Sequence, residues 1–451
     1  MSNSKQKKVL MVSYFFPPGG GSAVQRPLKF VKLLPVYEWK PYVVTIGRKK
    51  QPFDHSLVKE VPKGISVNGA FSLDPMNLNL ILREKYDRKN IGKISYIFFK
   101  AILKIYSMIY YRMVIVDWYD GWVPFGFKKG KGIINKEDTD LIYIHGQPFS
   151  SFVIGFLLKK FTGKPLVIDY DDSWTTSVYA KNTKGVKQWI RRSLEYKTLK
   201  IADRVLSVKR ETIKGIREKF PGIDEDKFEF IPNGYDPEDF LNLEKKKQSK
   251  FTITYTGRLS EKFCYSPESF LYALGELIRE KKILKDEIQV VFTGTVSSNY
   301  QIRLQDSVRR LDLERVINFT GFVSHKECIK YLMDSDILLL IIESLKGREF
   351  SYEFSGSVPA KIFEYIYTGV PILAIVPPGF EADLIRKTAT GFIAEPNNVN
   401  AVKELLYELY RNYKEGTLKI EPDREEINKY DRRVLTEKLS GVFEEILSGD
   451  K

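Results

Sequence analysis

The segment Ser355-Gly-Ser-Val-Pro-Ala-Lys-Ile-Phe-Glu-Tyr-Ile-Tyr-Thr-Gly-Val-Pro-Ile-Leu-Ala374 decides the fold class and much of the expected function. It predicts a small-residue loop, a short helix opened by Pro359, a turn at Gly369 and a buried strand over 371–376. The first backbone N–H groups of a helix lack partners within the helix, and with the helix dipole they favour a bound anion. We therefore expect a phosphate cradle in the loop and expect Glu364 to face the ligand.

The composition indicates a soluble globular protein with an anionic partner. With 451 residues the chain is too long for one core, and 43% hydrophobic and 29% charged residues are ordinary values for a globular protein. A net charge of +15 implies attraction to nucleic acid, an acidic membrane surface or a phosphate-bearing substrate. Two cysteines and three histidines predict neither a disulfide framework nor a zinc site, and they favour a reduced, cytosolic setting. The polar, basic start of the chain predicts no secretory signal.

Short apolar runs alternate with helical patterns along the chain, as in parallel sheets with crossover helices. The strands predicted in the first half are 9–14, 42–46, 140–145, 165–170 and 204–208. Those predicted in the second half are 251–256, 288–293, 316–320, 336–342, 371–376 and 391–394. Residues 243–250 are charged and lack apolar periodicity, so we expect them to link two α/β domains.

A run of three glycines, Gly19 to Gly21, follows the first predicted strand and precedes a helical pattern. Because glycine has no Cβ, such a loop allows the backbone to approach a phosphate or a sugar closely. The run lacks the full spacing of a dinucleotide-binding fingerprint, so a purely structural turn is the alternative.

Polar and charged residues follow several of the predicted strands. In an open α/β sheet, ligands bind at the carboxyl ends of the strands. His145, Asp171 and Asp172 stand at such ends in the first half, and Arg258 and Lys262 do so in the second half. Two cations four residues apart suit a diphosphate, and the aspartates suit sugar hydroxyls or a catalytic base. The alternatives are a structural histidine, aspartates that cap the next segment and a solvated pair of surface charges.

Residues 94–116 form an aromatic and aliphatic stretch that Lys100, Lys104 and Arg112 interrupt. A membrane-spanning helix needs about 20 predominantly apolar residues, so we expect a buried or interfacial helix instead. Lys93, Lys100 and Lys104 would lie against anionic lipid headgroups in the interfacial interpretation. A core helix with solvated lysines is the alternative.

Five motifs, taken in order, carry a resemblance to a known family. They are Tyr14-Phe-Phe-Pro-Pro-Gly-Gly-Gly21, Pro165-Leu-Val-Ile-Asp-Tyr-Asp-Asp-Ser-Trp174, Ile231-Pro-Asn-Gly-Tyr-Asp236, Thr256-Gly-Arg-Leu259 with Lys262, and Val358-Pro-Ala-Lys-Ile-Phe-Glu-Tyr365 through Gly369-Val-Pro371. Over nearly its full length the chain resembles GT-B glycosyltransferases of the retaining family 4 type. The resemblance implies an α/β GT-B fold, in which two Rossmann-like domains enclose a cleft. The implied divisions are an acceptor-side domain (1–242), a nucleotide-sugar-binding domain (251–425) and a C-terminal helix (426–451) that crosses back to the first domain.

The resemblance also implies roles for individual residues. Arg258 and Lys262 would neutralise the donor diphosphate, Glu364 would bind the ribose, and His145 would contact the transferred sugar. The other residues implied at the donor site are Gly20, Gly21, Ser355, Gly356, Ser357 and Lys361. Those implied on the acceptor side are Asp171, Asp172 and Trp174. The family often carries two glutamates separated by seven residues, and here Gly356 stands where the first would be. Contacts to the sugar would then come from the backbone N–H groups of this loop.

The expected activity is sugar transfer from a nucleotide-sugar to a glycan or lipid-linked acceptor, with retention of configuration, in cell-surface polysaccharide or lipopolysaccharide synthesis. No metal or other cofactor is expected, because cations and helix N–H groups would stabilise the leaving phosphate. The expected location is cytoplasmic, with an anionic membrane surface as a candidate partner. A sugar-nucleotide epimerase of the same fold and a non-catalytic carbohydrate-binding protein are the alternatives. A nucleic-acid binder is disfavoured, since no recognition motif accompanies the charge. The base, sugar, acceptor and oligomeric state do not follow from the sequence.

Overall fold

Contacts divide the chain into two compact units. The computed structural model describes residues 6–48, 52–175, 185–246, 248–261, 264–343 and 359–449. Of these, the residues up to Pro232 and from Leu435 onward form the first unit, and those from Asn233 to Val434 form the second. This division falls before the predicted domain end at 242 and after the predicted helix start at 426.

The first unit contains a seven-stranded sheet in which every neighbouring pair is parallel. Its strands are β1 (Lys7–Ser13), β2 (Trp39–Ile46), β3 (Ser66–Ala70), β4 (Leu141–Gly146), β5 (Leu166–Tyr170), β6 (Arg204–Ser207) and β7 (Phe228–Phe230). The spatial order is β3-β2-β1-β4-β5-β6-β7, so the direction of winding reverses between β1 and β4. A crevice at the carboxyl ends of the strands is expected at that reversal. The sequence missed β3, which lies at the sheet edge, is largely exposed and therefore has no apolar run.

Helices cover both faces of this sheet, so its central strands are apolar along most of their length. The helices are α1 (Ser22–Leu33), α2 (Pro75–Asp87), α3 (Lys93–Met113), α4 (Val123–Glu137), α5 (Ser150–Thr162), α6 (Val186–Ile201) and α7 (Arg210–Lys219). One core cluster lies on the face of β1 that carries Leu10 and Val12, and the other lies on the face that carries Val9 and Met11. This alternation is the period of two that a strand imposes on its side chains.

Helix α3 departs from this packing. It lies wholly within the described range 52–175 and buries none of its residues. The core-helix interpretation of residues 94–116 is therefore wrong. Among the described residues, no helix has both the length and the apolar character needed to cross a membrane.

The second unit contains a six-stranded parallel sheet with the order β10-β9-β8-β11-β12-β13. Its strands are β8 (Phe251–Thr256), β9 (Ile288–Thr293), β10 (Ile317–Gly321), β11 (Ile337–Ile341), β12 (Ile372–Ile375) and β13 (Gly391–Ala394). Its helices are α8 (Glu268–Arg279), α9 (Ser298–Arg310), α10 (His325–Met333), α11 (Lys361–Thr368), α12 (Phe380–Thr388), α13 (Val399–Lys414) and α14 (Arg424–Asn428). Each unit thus has a parallel sheet with helices between its strands, which confirms the predicted α/β fold class.

The last helix, α15 (Arg432–Ser448), packs on the first unit along most of its length. Leu435, Leu439 and Phe443 are buried in the same core cluster as Val9 and Trp39. The rings of Trp39 and Phe443 meet edge to face, with their centroids 5.0 Å apart. Apolar burial therefore attaches the end of the chain to the sheet in which the chain begins.

Candidate functional site

In the first unit, the glycine loop lies between β1 and α1, at the point where the winding reverses. The Gly20 N–H donates to the Pro52 carbonyl at 2.9 Å, and Gly21 precedes the first residue of α1 with φ of 101°. That φ is costly for residues with a Cβ, although no described atom lies within 4 Å of a Cβ built on Gly21. Backbone conformation rather than crowding therefore requires glycine there. Gly21 remains exposed, and its backbone is accessible to a ligand.

A buried ion pair fixes the helix that follows this loop to the sheet. Arg26, one turn into α1, donates from Nε to Asp169 Oδ2 at 2.7 Å and from Nη2 to Asp169 Oδ1 at 3.0 Å. Its third nitrogen donates to the Pro232 carbonyl at 2.9 Å, and the Tyr143 hydroxyl donates to Asp169. Burial alone would raise the pKa of the Asp169 carboxyl, but the Arg26 guanidinium holds it below its usual value. Sequence reasoning missed Arg26, although its place in the first helix after the glycine loop was a usable signal.

His145 lies on β4, between Ser13 of β1 and Asp169 of β5 in the strand register. Its side chain is fully buried, and after Arg26 it makes a further electrostatic contribution that lowers the pKa of Asp169. The predicted contact of His145 with a transferred sugar stays a prediction. In the structure the ring belongs to the polar network at the carboxyl ends of the central strands.

The predicted acceptor-side residues follow β5. The Asp171 N–H donates to the Gly146 carbonyl at 3.1 Å, and the Asp172 carboxylate accepts from the Gln147 side-chain amide. Both aspartates are half-buried. Trp174 is buried, and its ring stacks on Phe149 with centroids 5.7 Å apart and planes inclined by 6°. The two carboxyl groups thus lie just beyond the carboxyl end of β5, whereas the tryptophan supports the loop by packing.

In the second unit, two glycine turns meet where β8 and β9 end. Gly257 has φ of 115° and Gly294 has φ of 130°. A Cβ on Gly294 would lie 2.1 Å from the Gly257 carbonyl oxygen, so the two backbones approach too closely for any side chain. Arg258 follows Gly257 directly and is exposed. The turn therefore presents the Arg258 cation at the carboxyl edge of the sheet.

Lys361, the first residue of α11, lies beside this turn. Its Nζ donates to the Thr256 carbonyl at 2.8 Å and lies 3.5 Å from the centroid of the Tyr255 ring. Burial lowers the pKa of the Lys361 ammonium well below its usual value. The positively charged form is thus under-solvated, and a phosphate nearby would stabilise it.

Glu364, one turn further along α11, lies against a histidine. Its Oε1 is 2.8 Å from Nε2 of His325, the first residue of α10. Both side chains are partly accessible, with 16% and 12% of their surface exposed. Strand β10 precedes α10, so His325 also belongs to the carboxyl edge of this sheet. Sequence reasoning missed His325, although a histidine that opens a helix after a strand was a usable signal.

Four predicted site residues lie outside the described residues. They are Lys262, Ser355, Gly356 and Ser357. Their predicted roles in binding the donor diphosphate and sugar stay predictions. Within the described part, the second unit brings Arg258, Lys361 and Glu364 to one edge of its sheet.

Two family models match consecutive parts of the chain. A model described as Glycosyltransferase Family 4 matches residues 109–239, and a model described as Glycosyl transferases group 1 matches residues 238–434. A 2-deoxystreptamine N-acetyl-D-glucosaminyltransferase of Niallia circulans is 23% identical, over 66% of this chain and 72% of its own length. An amylovoran biosynthesis glycosyltransferase, AmsK of Erwinia amylovora, is 26% identical, over 39% of this chain and 40% of its own length.

Solved structures of low sequence identity share the fold. A sucrose-phosphate synthase from Thermosynechococcus elongatus has a TM-score of 0.66 at 13% identity, covering 98% of this chain and 100% of its own. The Anabaena protein HepE, in complex with UDP and glucose, has a TM-score of 0.62 at 15% identity, with coverage of 97% and 99%. A putative UDP-N-acetylglucosamine 2-epimerase from Listeria monocytogenes has a TM-score of 0.55 at 12% identity, with coverage of 99% and 98%. The fold by itself therefore does not separate a transferase from an epimerase.

The family models make that separation. Together they span residues 109–434, which is more than half of the chain, and both describe glycosyltransferases. The chain belongs to the GT-B glycosyltransferases of the family 4 type and is a glycosyltransferase.

Proposed function

We propose that the chain transfers a sugar from a nucleotide-sugar donor to a glycan or lipid-linked acceptor with retention of anomeric configuration. The observation that carries the donor side is the edge of the second sheet, where Arg258, Lys361 and Glu364 come together. Two cations suit a diphosphate, and a carboxylate one turn into a helix suits ribose hydroxyls. The structural neighbours solved with UDP support a nucleotide-sugar donor.

The proposed reaction breaks the bond between the anomeric carbon and the donor phosphate oxygen. The acceptor hydroxyl forms the new bond on the same face of the sugar, and its proton passes to the leaving phosphate. Negative charge grows on that phosphate in the transition state, where Arg258 and Lys262 would stabilise it. Closure of the site would exclude water, which would otherwise hydrolyse the donor.

We propose that transfer needs no metal, because these cations supply the charge that a divalent ion would otherwise bring. The expected result is an unchanged transfer rate after treatment with a chelator. A rate that falls and recovers when magnesium or manganese is added would overturn this part of the proposal.

We also propose a class of acceptor and a cellular location. A relative named for amylovoran biosynthesis supports a role in cell-surface polysaccharide or lipopolysaccharide assembly. The proposed location is cytoplasmic, peripheral to the inner face of the cell membrane. The exposed apolar side chains of α3 support that location.

The first experiment screens nucleotide-sugars, beginning with UDP-sugars, for thermal stabilisation of the full chain. A ligand that binds only the folded state raises its stability. Transfer from the stabilising donor is then followed with glycan and lipid-linked acceptors, and the anomeric configuration of the product is read by NMR. A product with inverted configuration would overturn the retaining mechanism.

Variants test the residues assigned to the donor. We expect Arg258→Ala and Lys262→Ala each to weaken donor binding or turnover by about ten- to one hundred-fold, since hydrogen bonds to charged groups contribute about 1.5–3 kcal/mol. Glu364→Ala should weaken binding of the free nucleotide. The matched control is Arg411→Ala, which removes an exposed arginine from α13. Normal transfer by the Arg258 and Lys262 variants, or an unchanged nucleotide dissociation constant for the Glu364 variant, would refute these assignments.

The same assay separates the alternatives. An epimerase converts its donor when no acceptor is present, and a carbohydrate-binding protein binds donor without transferring sugar to any acceptor. Either result would overturn the proposed transfer.

A further inference from the structure

We infer that α3 binds the surface of an anionic lipid bilayer, with one defined face in the interface between headgroups and acyl chains. This inference extends the peripheral location proposed above and names the surface that makes the contact. The face consists of Ile94, Phe98, Ile102, Ile105 and Ile109, and is called the outer face of α3. These side chains expose between 47% and 86% of their surface. A contiguous apolar surface of this kind marks an interaction site.

Helical geometry separates the outer face from the side of α3 that packs on the protein. Each residue turns the helix by about 100°. The half-buried positions Tyr96, Leu103, Ser107 and Tyr110 therefore share one side, and the outer face lies opposite. The ring of Tyr96 stacks on Tyr86 of α2 with centroids 4.4 Å apart. Helix α2 thus covers one side of α3 and leaves the other exposed.

Polar anchors hold α3 in this exposed position. The Asp120 carboxylate accepts from the backbone N–H groups of Ile115 at 2.8 Å and Val116 at 3.0 Å, directly after the helix. The Tyr110 hydroxyl accepts from the Gly121 N–H at 2.8 Å, and the Tyr106 hydroxyl donates to the Leu73 carbonyl at 2.8 Å. These hydrogen bonds fix the C-terminal half of α3 on the protein, so the protein presents the outer face ready for contact.

Charge identifies the occupant of this face. Helix α3 carries Lys93, Lys100, Lys104 and Arg112 and has no aspartate or glutamate. The three lysines fall together on one side of α3, between the half-buried positions and the exposed Ile97 and Met108. Their stems can lie along this apolar surface while the ammonium groups reach lipid phosphates. A second copy of α3 would bring only further cations to the contact. An anionic bilayer complements both the apolar and the charged parts.

An exposed tryptophan adds an interfacial anchor. Trp118, just beyond α3, exposes 70% of its surface, and its ring centroid is 5.9 Å from that of Tyr111. Tryptophan and tyrosine are enriched where a membrane meets water. Helix α6 contacts the same end of α3, since the Lys187 ammonium donates to the Arg112 carbonyl at 2.5 Å.

The test is co-sedimentation of the full chain with phosphatidylcholine vesicles, with and without phosphatidylglycerol. We expect binding to the anionic vesicles that weakens as salt is added. Replacing Lys93, Lys100 and Lys104 together by glutamine should weaken it about one hundred-fold, because each lysine near the surface contributes about five-fold. Replacing Phe98, Ile105 and Ile109 together by serine should weaken binding more than ten-fold. Since all six side chains are exposed, these variants should fold normally.

Two matched controls carry equal changes elsewhere. One replaces the exposed Val36, Leu241 and Ile302 by serine, and the other replaces the exposed Lys281, Lys387 and Lys419 by glutamine. Both should bind like the parent chain. Equal binding by the α3 variants and their controls would overturn the inference. So would a dimer in sedimentation velocity that the serine variant dissociates, if the parent chain binds no vesicles.

Sugar transfer to a water-soluble acceptor is measured in parallel, because vesicle binding and transfer fail independently. Intact transfer without vesicle binding would overturn only the membrane inference. Vesicle binding without donor binding or transfer would overturn only the proposed function.

Discussion

The buried pair of Arg26 and Asp169 allows a quantitative prediction, because 2% and 0% of their side-chain surfaces are exposed. We consider Arg26→Met, which keeps the length of the side chain and removes its charge. The Asp169 carboxylate would then keep a hydrogen bond from Tyr143 but lose its counter-charge. Removing one partner of a buried ion pair costs about 3–5 kcal/mol, which corresponds to a fall in melting temperature of about 6–20 °C for a domain of this size.

The assay is urea unfolding followed by tryptophan fluorescence. All five tryptophans, Trp39, Trp118, Trp122, Trp174 and Trp189, precede residue 233, so this signal reports on the first unit. The control is Arg83→Met, which removes an arginine that is 73% exposed in a surface ion pair and should cost less than about 0.5 kcal/mol.

The pH dependence follows from the low pKa of Asp169. In the parent chain the stability from this ionised carboxyl is present at neutral pH and is lost as the pH falls through the lowered pKa. In Arg26→Met, burial without a counter-charge raises the pKa, so the stability deficit is largest at neutral pH and shrinks on acidification. Adding Asp169→Leu should recover much of the loss. A deficit below about 1 kcal/mol at neutral pH, or one that does not change with pH, would refute this reasoning.

Two further predictions concern the second unit. Burial raises the pKa of Glu343 to about 7 from its usual 4.5, so its ionisation destabilises the fold increasingly as the pH rises between these values. Glu343→Gln keeps a partner for Ser269, and it should therefore raise the free energy of unfolding by about 3 kcal/mol at pH 8 and by almost nothing at pH 4.5. The measurement is urea unfolding followed by circular dichroism, and equal effects at the two pH values would contradict the prediction. Gly294→Ala should lower the stability of the fold more than Gly416→Ala, because both glycines have positive φ but only Gly294 approaches Gly257. Equal losses of stability would show that the contact is unimportant.

Sequence patterns predicted the fold best where burial is continuous. Strands such as β11 and β12 consist of apolar runs, and a parallel strand buried on both faces requires such a run. Strand β3 was missed because an exposed edge strand has no such requirement. For α3, composition alone did not distinguish a core helix from an exposed one, because that depends on which side another helix covers.

The candidate site was predictable where chemistry follows a strand end in the sequence. Arg258 and Glu364 carried such signals, since both lie in a recognisable strand–turn or turn–helix unit. The Arg26–Asp169 pair joins residues 143 positions apart, and the His325–Glu364 contact joins residues 39 positions apart. Neither pairing follows from spacing, because both depend on the order of strands in the sheet.

The sequence by itself determined the α/β class, the glycosyltransferase family and the residue types at the strand ends, because local periodicity and motif order are properties of the chain. Only the tertiary structure decided which of these side chains meet, which are buried and which face of α3 remains uncovered. The physical reason is that burial and counter-charges come from elements distant in sequence. The segment 355–374 illustrates the division: its helix α11 was expected from the residues alone, whereas the contacts of Lys361 with Thr256 and of Glu364 with His325 required the folded sheet.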